Sequence, residues 1–153
     1  MLVVDIPGRG ELRLEHAVLD VNGTITSRGD LVAGVPERLA ALAGTLEVRL
    51  LSADTFGTLE TVAAAVGARA ERVESGADKV RIVEGLGTQR CVAIGNGAND
   101  AAMLAAAALG IAVVGPEGAA AAAVHAADVV CASIVVALDL LLDTRALIAT
   151  LRP

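Results

Sequence analysis

Aromatic residues are almost missing from this sequence. The 153 residues include one Phe and no Trp or Tyr, although 55% of them are hydrophobic. Ala, Val and Leu must therefore fill the interior, which favours closely packed helices lying on a parallel sheet. The chain has almost no side chains on which bases could stack, and its net charge of −6 provides no basic face. We therefore predict that it has no nucleic-acid partner.

Long apolar runs and paired cysteines are missing as well. No segment reaches the roughly 18 continuous apolar residues that span a bilayer, so we expect a soluble protein without a membrane partner. Cys91 and Cys131 lie 40 positions apart in apolar runs, and without a CxxC spacing they are expected to be buried free thiols. Reduced thiols and the lack of a signal-peptide pattern predict a cytoplasmic location.

Apolar strands alternate with helices along the whole chain. This alternation predicts an α/β fold with a central parallel sheet, helices on both faces and right-handed crossovers. The length suits one domain over residues 1–153, with residues 1–15 as an N-terminal β-hairpin extension and 16–153 as the core. Residues 25–34 are expected to form a short flap. The predicted strands of the core are 17–21, 47–51, 68–73, 90–94, 111–114 and 129–130. The predicted helices are about 36–43, 56–66, 77–86, 100–109, 116–125 and 134–151.

Four polar clusters follow strands or begin helices. They are Asp20 with the NGT that follows it, the SAD at residues 52–54, Lys79, and the GNGAND at residues 95–100. Taken singly, these are a strand-end turn, a helix cap, a solvated lysine and an N-cap. Their order along the chain makes four independent explanations improbable. Ligands of open α/β sheets bind at the carboxyl ends of the strands, so we expect the clusters to meet there.

On these residues the sequence resembles the haloacid dehalogenase-like superfamily. Members carry D-x-D-G-T or D-K-T-G-T, then Ser or Thr, then Lys, then G-D-G-x-N-D. The matching positions here are residues 20–26, Ser52, Lys79 and residues 95–104, so the resemblance spans about residues 16–131. It is strongest to the phosphorylation domain of P-type ATPases, whose T-G-D is similar to residues 52–54. The resemblance implies a three-layer, Rossmann-like fold in a freestanding relative without membrane segments.

The resemblance also implies a chemistry, that of a Mg²⁺-dependent phosphohydrolase. Asp20 would attack phosphorus and form an aspartyl-phosphate, and Mg²⁺ would bridge the two anionic groups. The catalytic residues implied are Asp20, Ser52 and Lys79. The phosphate-binding residues implied are Gly23, Thr24, Ser52, Ala53 and Lys79. The metal ligands implied are Asp20, the backbone carbonyl of Asn22, Asn96 and Asp100, with Asn99 in support.

Two positions depart from the family pattern, and both replace an acid with an amide. Asn22 stands where phosphatases carry the acid that protonates the leaving group, and an amide does not titrate. We therefore expect slow turnover, a leaving group that needs no acid, or a different acid. Asn96 replaces the first acid of the last motif, which predicts weaker metal binding. The alternative function is a catalytically weak phosphate- or partner-binding protein that retains the fold.

The spacing between the motifs leaves no room for a cap domain. Residues 21–51 are already assigned to a flap, a helix and a strand, and the segment between Lys79 and Gly95 holds one helix and one strand. A capless site is open, so we expect it to be closed by a macromolecular substrate or by a neighbouring subunit of a homo-oligomer. The expected ligand is a phosphorylated substrate, with ATP as one candidate.

Overall fold

Six parallel strands form the central sheet of the computed structural model, which describes residues 1–54 and 57–153. The strands of the described chain are β1 (Leu2–Ile6), β2 (Gly10–Leu14), β3 (His16–Asp20), β4 (Thr26–Ser27), β5 (Asp30–Leu31), β6 (Glu47–Ser52), β7 (Arg69–Arg72), β8 (Cys91–Gly95), β9 (Leu109–Val113) and β10 (Val129–Cys131). The helices are α1 (Val35–Leu42), α2 (Leu59–Val66), α3 (Gly76–Leu86), α4 (Ala101–Ala106), α5 (Ala121–Ala126), α6 (Ile134–Leu142) and α7 (Thr144–Leu151), with short 3₁₀ turns at Thr88–Arg90 and Ala98–Asp100.

The strand order places β3 in the middle of the sheet. The order is β10-β9-β8-β3-β6-β7, so the chain builds outward from β3 on one side and then returns to pair β8 on the other. Asp20, the last residue of β3, is in register with Leu51 of β6. In α/β proteins, ligands bind at the carboxyl ends of the strands, at the point where the strand order reverses. Asp20 therefore lies at the reversal point.

Helices cover both faces of the sheet, as the sequence predicts. The side chains of α1, α2, α6 and α7 pack on one face, and those of α3, α4 and α5 pack on the other. Because both faces are covered, β8 and β9 are apolar and buried along their whole length. Close packing needs small residues. A Cβ on Gly110 of β9 would lie 2.4 Å from the carbonyl oxygen of Leu104 in α4.

Two antiparallel hairpins flank the central sheet. The predicted N-terminal hairpin is confirmed as β1 and β2, in the register Leu2↔Leu14. The segment predicted as a flap, residues 25–34, contains a short hairpin formed by β4 and β5. From here on, the flap means this hairpin, residues 26–31. The predicted strand over residues 68–73 is confirmed as β7, which lies at one edge of the sheet. No helix of the described chain is long and apolar enough to cross a membrane.

Three predicted helix boundaries are wrong. The fourth predicted helix ends at Ala106, because Leu109 already pairs in β9. The fifth begins at Ala121 and not at Pro116, since the Gly118 N–H donates to the Gly115 carbonyl at 2.9 Å and closes a turn. The last predicted helix is broken into α6 and α7 at Asp143, whose carboxylate caps α7. The predicted start of α2 at Phe56 lies outside the described residues.

Candidate active site

A buried lysine lies between two aspartates at the carboxyl end of the sheet. The Lys79 Nζ donates to Asp20 Oδ1 and to Asp100 Oδ1, each at 2.6 Å. Lys79 and Asp100 are 1% and 0% exposed, and Asp20 is 6% exposed. The sequence contains no other lysine. One ammonium is therefore shared by two carboxylates that come from distant parts of the chain.

Burial and charge shift the protonation equilibria of this group. Burial raises the pKa of Asp20, the nearby Asp100 carboxylate raises it further, and Lys79 opposes both, which leaves the pKa at about 6. Burial alone would lower the pKa of Lys79, but the two carboxylates outweigh it and raise the pKa above its usual value. Lys79 is therefore a fixed cation at neutral pH, and Asp20 is mainly ionised.

The titration of Asp20 can be measured directly. In the metal-free protein we expect the carboxyl carbon of Asp20 to titrate with a midpoint of about pH 6. Because the raised pKa belongs to an acid, the carboxylate is lost as the pH falls through that value. Carbon-13 NMR over pH 4–8 checks this result. A midpoint of about 4, the ordinary range for Asp, would contradict the dominance of burial.

Asp100 has a donor for each of its oxygens. Its Oδ1 accepts from Lys79, and its Oδ2 accepts the backbone N–H groups of Asn96 and Gly97 at 3.0 and 2.9 Å. Gly95 makes room for it, since a Cβ there would lie 2.5 Å from the carboxyl carbon of Asp100. The metal-ligand role predicted for Asp100 stays a prediction. The contacts favour a different one, in which Asp100 holds Lys79 and the turn after β8.

The turn after β3 places the Thr24 hydroxyl beside Asp20, the candidate nucleophile. The Thr24 hydroxyl lies 3.0 Å from Asp20 Oδ2 and 3.2 Å from Asn96 Oδ1. Its single proton can be donated to only one of them at a time. Gly23 permits this turn because its φ is +77° and a Cβ would lie 2.6 Å from Asn96 Nδ2. Asp20, Thr24 and Asn96 therefore form one connected set.

Ser52 and Ala53 lie at the end of the neighbouring strand. The buried Ser52 hydroxyl accepts the backbone N–H of Asp54 at 2.8 Å, and Ala53 is exposed. Asp54 has a left-handed φ of +56°, and its carboxylate accepts the N–H of Leu59 at the start of α2. Ser52 thus lies at the edge that Asp20 reaches, without a hydrogen bond to it among the described residues. The phosphate-binding roles of Ser52 and Ala53 stay predictions.

Helix α3 sets the position of Lys79. The Ser75 hydroxyl accepts the N–H of Asp78 and the Asp78 carboxylate accepts the N–H of Ser75, which together form a capping box. The first turn of α3 approaches the loop after β8, where a Cβ on Gly76 would lie 2.6 Å from the carbonyl oxygen of Asn99. The exposed Asn99, predicted as a supporting residue, thus contributes backbone contact here.

The oxygen atoms near Asp20 fit a small hard cation. Asp20 Oδ2 and Asn96 Oδ1 both face the Thr24 hydroxyl, and the Asn22 carbonyl accepts no hydrogen bond within residues 1–54 and 57–153. Carboxylate, amide and backbone oxygens are the ligands that Mg²⁺ takes. Within the same ranges, no three His, Cys, Asp or Glu side chains converge as a metal site. The fit therefore depends on neutral oxygens together with one carboxylate.

Comparison with known proteins decides the family. The family model of haloacid dehalogenase-like hydrolases matches residues 74–134, the segment with Lys79, Asn96 and Asp100. The chain belongs to the haloacid dehalogenase-like superfamily. An uncharacterized protein of Methanocaldococcus jannaschii is 40% identical over 91 residues, which are 55% of this chain and 98% of that protein.

Solved structures share the haloacid dehalogenase-like fold. The 3-deoxy-D-manno-octulosonate 8-phosphate phosphatase of Moraxella catarrhalis, in complex with magnesium, phosphate and KDO, aligns with a TM-score of 0.71 and 17% identity over 91% of this chain and 94% of that one. The catalytic domain of the CPx-ATPase CopB-B aligns with a TM-score of 0.59 and 24% identity over 81% of this chain and 46% of that one. These likenesses confirm the predicted Rossmann-like fold and its similarity to a P-type ATPase domain.

The sequence did not point to the segment after β9. Residues 114–120 bind Asn96 through the Gly118 carbonyl, which accepts Asn96 Nδ2 at 3.1 Å, and through the Ala120 N–H, which donates to the Asn96 carbonyl at 2.8 Å. The sequence predicted a helix there. The glycines at 115 and 118, which bracket a Pro-Glu pair, were the available signal for a turn.

Proposed function

We propose that this chain hydrolyses phosphomonoesters through a phosphorylated intermediate on Asp20. The observation that carries the proposal is the Asp20 carboxylate itself, which lies at the end of the central strand and is held by Lys79 Nζ at 2.6 Å and by the Thr24 hydroxyl at 3.0 Å. A carboxylate fixed in this way is a pre-oriented nucleophile. Membership of a hydrolase family with phosphatases among its structural neighbours supports the same reaction.

The proposed reaction has two displacements at phosphorus. An Asp20 oxygen forms a bond to phosphorus while the bond from phosphorus to the leaving oxygen breaks, and the leaving group takes a proton from solvent. Water then attacks the same phosphorus and gives a proton to solvent, the acyl-phosphate P–O bond breaks, and the Asp20 carboxylate is restored as inorganic phosphate leaves. The Lys79 ammonium and the Ser52 hydroxyl would stabilise the charge on the phosphoryl oxygens.

Magnesium is the metal proposed for this site. Asp20, the Asn22 carbonyl and Asn96 Oδ1 would hold it, and when bound it would neutralise the repulsion between the carboxylate and the phosphate. With one carboxylate among these donors, the affinity for Mg²⁺ is expected to be modest. Asp100 holds Lys79 at 2.6 Å, and its own role as a metal ligand stays a prediction.

The direct test is hydrolysis of 4-nitrophenyl phosphate by wild type and by Asp20→Asn. This leaving group needs no general acid, so Asn22 does not limit the reaction. We expect Mg²⁺-dependent hydrolysis by wild type and a loss of about 10³-fold or more in the variant. The measurement is kcat with and without EDTA. Equal hydrolysis by both proteins would contradict the proposal.

A phosphate-binding protein without turnover is the second candidate. The observation that favours it is the pair of amides, Asn22 and Asn96, at positions where the family pattern has acids. Fluoroberyllate, which mimics a phosphoryl group on a carboxylate, separates the two candidates by fluorine NMR. Binding that Asp20→Asn abolishes, without turnover of any aryl phosphate, identifies the binding protein.

The substrate class is proposed only as far as the phosphate. The octulosonate phosphatase of Moraxella catarrhalis acts on a phosphorylated sugar acid by its name, and at 17% identity that substrate is not transferred to this chain. We propose a phosphorylated small molecule or macromolecule entering a capless site, with a second copy of the chain able to cover it.

A further inference from the structure

Each polar atom of Asn96 lies within hydrogen-bond distance of a partner. Its N–H donates to Asp100 Oδ2 at 3.0 Å, and its carbonyl accepts the N–H of Ala120 at 2.8 Å. Its side-chain Oδ1 lies 3.2 Å from the Thr24 hydroxyl, and its Nδ2 donates to the Gly118 carbonyl at 3.1 Å. The side chain thus connects the turn after β3 with the segment 114–120.

An amide offers an acceptor towards the Thr24 hydroxyl and a donor towards the Gly118 carbonyl. An aspartate has nearly the same shape, but it is an acceptor only when ionised. One of its oxygens would face the Gly118 carbonyl oxygen across the 3.1 Å that an N–H···O bond now spans. The hydrogen bond would be lost, and two acceptors would face each other in a half-buried site. An acid at this position, as in the family pattern, would therefore lose the contact with Gly118.

The segment 114–120 also holds the flap. The Gly118 N–H closes its turn onto the Gly115 carbonyl at 2.9 Å, and the Glu117 carboxylate accepts the backbone N–H of Arg28 at 3.2 Å. Contacts therefore run without a gap from Asp20 through Thr24, Asn96 and the segment 114–120 to the tip of the flap.

The tip of the flap has an unfavourable backbone conformation for its sequence. Arg28 and Gly29 form a two-residue hairpin loop with φ values of +52° and +89°. Positive φ at both positions is typical of a type I′ turn, in which Asn or Gly is preferred at the first position. An arginine there needs support from outside the hairpin. The bond to Glu117 provides such support.

We infer that Asn96 is a positioning residue whose amide fixes the segment 114–120 and, through Glu117, the flap at the rim of the Asp20 site. The replacement of the family's acid is then a requirement of this contact and not a loss. The effect on substrate binding rests on the proposed function, whereas the effect on the flap does not.

Asn96→Asp separates this role from metal binding. A carboxylate is the better metal ligand, so Mg²⁺ should bind more tightly in the variant by calorimetry. At the same time, amide exchange at Arg28 should rise by about tenfold, and the KM for 4-nitrophenyl phosphate by a similar factor, because the bond to Gly118 is lost. We expect kcat to change less than KM. Unchanged exchange at Arg28 together with an equal or lower KM would overturn the inference.

Two further variants complete the test. Asn96→Ala removes the donor without adding charge and should speed exchange at Arg28 without tighter Mg²⁺ binding. Glu117→Ala, at an exposed position, breaks the contact one step later and should speed the same exchange while Mg²⁺ affinity stays unchanged. The exchange measurements need no turnover. An inactive protein that shows these changes supports the inference, and an active protein without them overturns it.

Discussion

Replacing Asn22 with Asp is expected to raise the hydrolysis of alkyl phosphates by about 10²- to 10⁴-fold. An alkoxide is a poor leaving group, and a carboxyl two residues after Asp20 would protonate it and then activate the attacking water. Asn22 is half-buried in the turn that carries Thr24, so the new carboxyl would lie beside the site. Aryl phosphates, which need no acid, should gain little. The measurement is the ratio of kcat/KM for glycerol phosphate to that for 4-nitrophenyl phosphate.

The matched control for this gain is Asn22→Ala. It removes the amide without supplying an acid, so the ratio of the two substrates should stay at the wild-type value. An equal gain on both substrates from Asn22→Asp would mean that the change acts on phosphate or metal binding. No gain on either would mean that another group already protonates the leaving oxygen.

Replacing Lys79 with Met is expected to lower the free energy of unfolding by about 3–5 kcal/mol at pH 8. Asp20 and Asp100 would remain buried and close together without the ammonium that both contact at 2.6 Å. The loss depends on pH in a predictable direction. Without Lys79 the folded-state pKa of Asp20 rises further above its unfolded value, so stability is lost as the pH rises through that pKa and is recovered below it.

Urea unfolding of Lys79→Met at pH 5 and pH 8 measures this effect, and Asp100→Asn in the same background is the control. Removing one carboxylate leaves no like-charge pair, so the double variant should recover part of the loss at pH 8. A loss under about 1 kcal/mol at both pH values, the scale of a surface ion pair, would show that the three groups do not depend on each other.

The sequence predicted the layers and the site edge because both follow from local patterns. Apolar runs that end in Asp20, Ser52 and Gly95 mark buried parallel strands, and the carboxyl ends of such strands meet at one edge. The N-cap of α7 at Asp143 is local as well, but the single helix predicted over 134–151 missed it. Boundaries that depend on tertiary packing were not predictable in the same way. The Ala-rich segment around residue 107 is helix-forming by propensity, yet strand pairing ends the helix at Ala106.

The sequence predicted which residues of the site lie together better than it predicted the hydrogen bonds between them. The motif spacing indicated that Asp20, Lys79 and Asp100 belong together. It did not show that one oxygen of Asp100 accepts from Lys79 and the other accepts two backbone N–H groups. The bond between Asn96 and Gly118 is long-range and joins two loops, so no periodicity or propensity could indicate it. Such contacts depend on how loops approach each other after the sheet has formed.

Because the chain has a single lysine, proteolysis after that residue can measure local opening of the site. The one lysyl peptide bond of the chain follows Lys79, whose side chain is sealed between Asp20 and Asp100 and only 1% exposed. An endoproteinase specific for lysine has a single place to cut, in α3, and reaches it only when that helix unfolds locally. The cleavage rate thus reports how often the group of Asp20, Lys79 and Asp100 opens, without a label or an engineered residue.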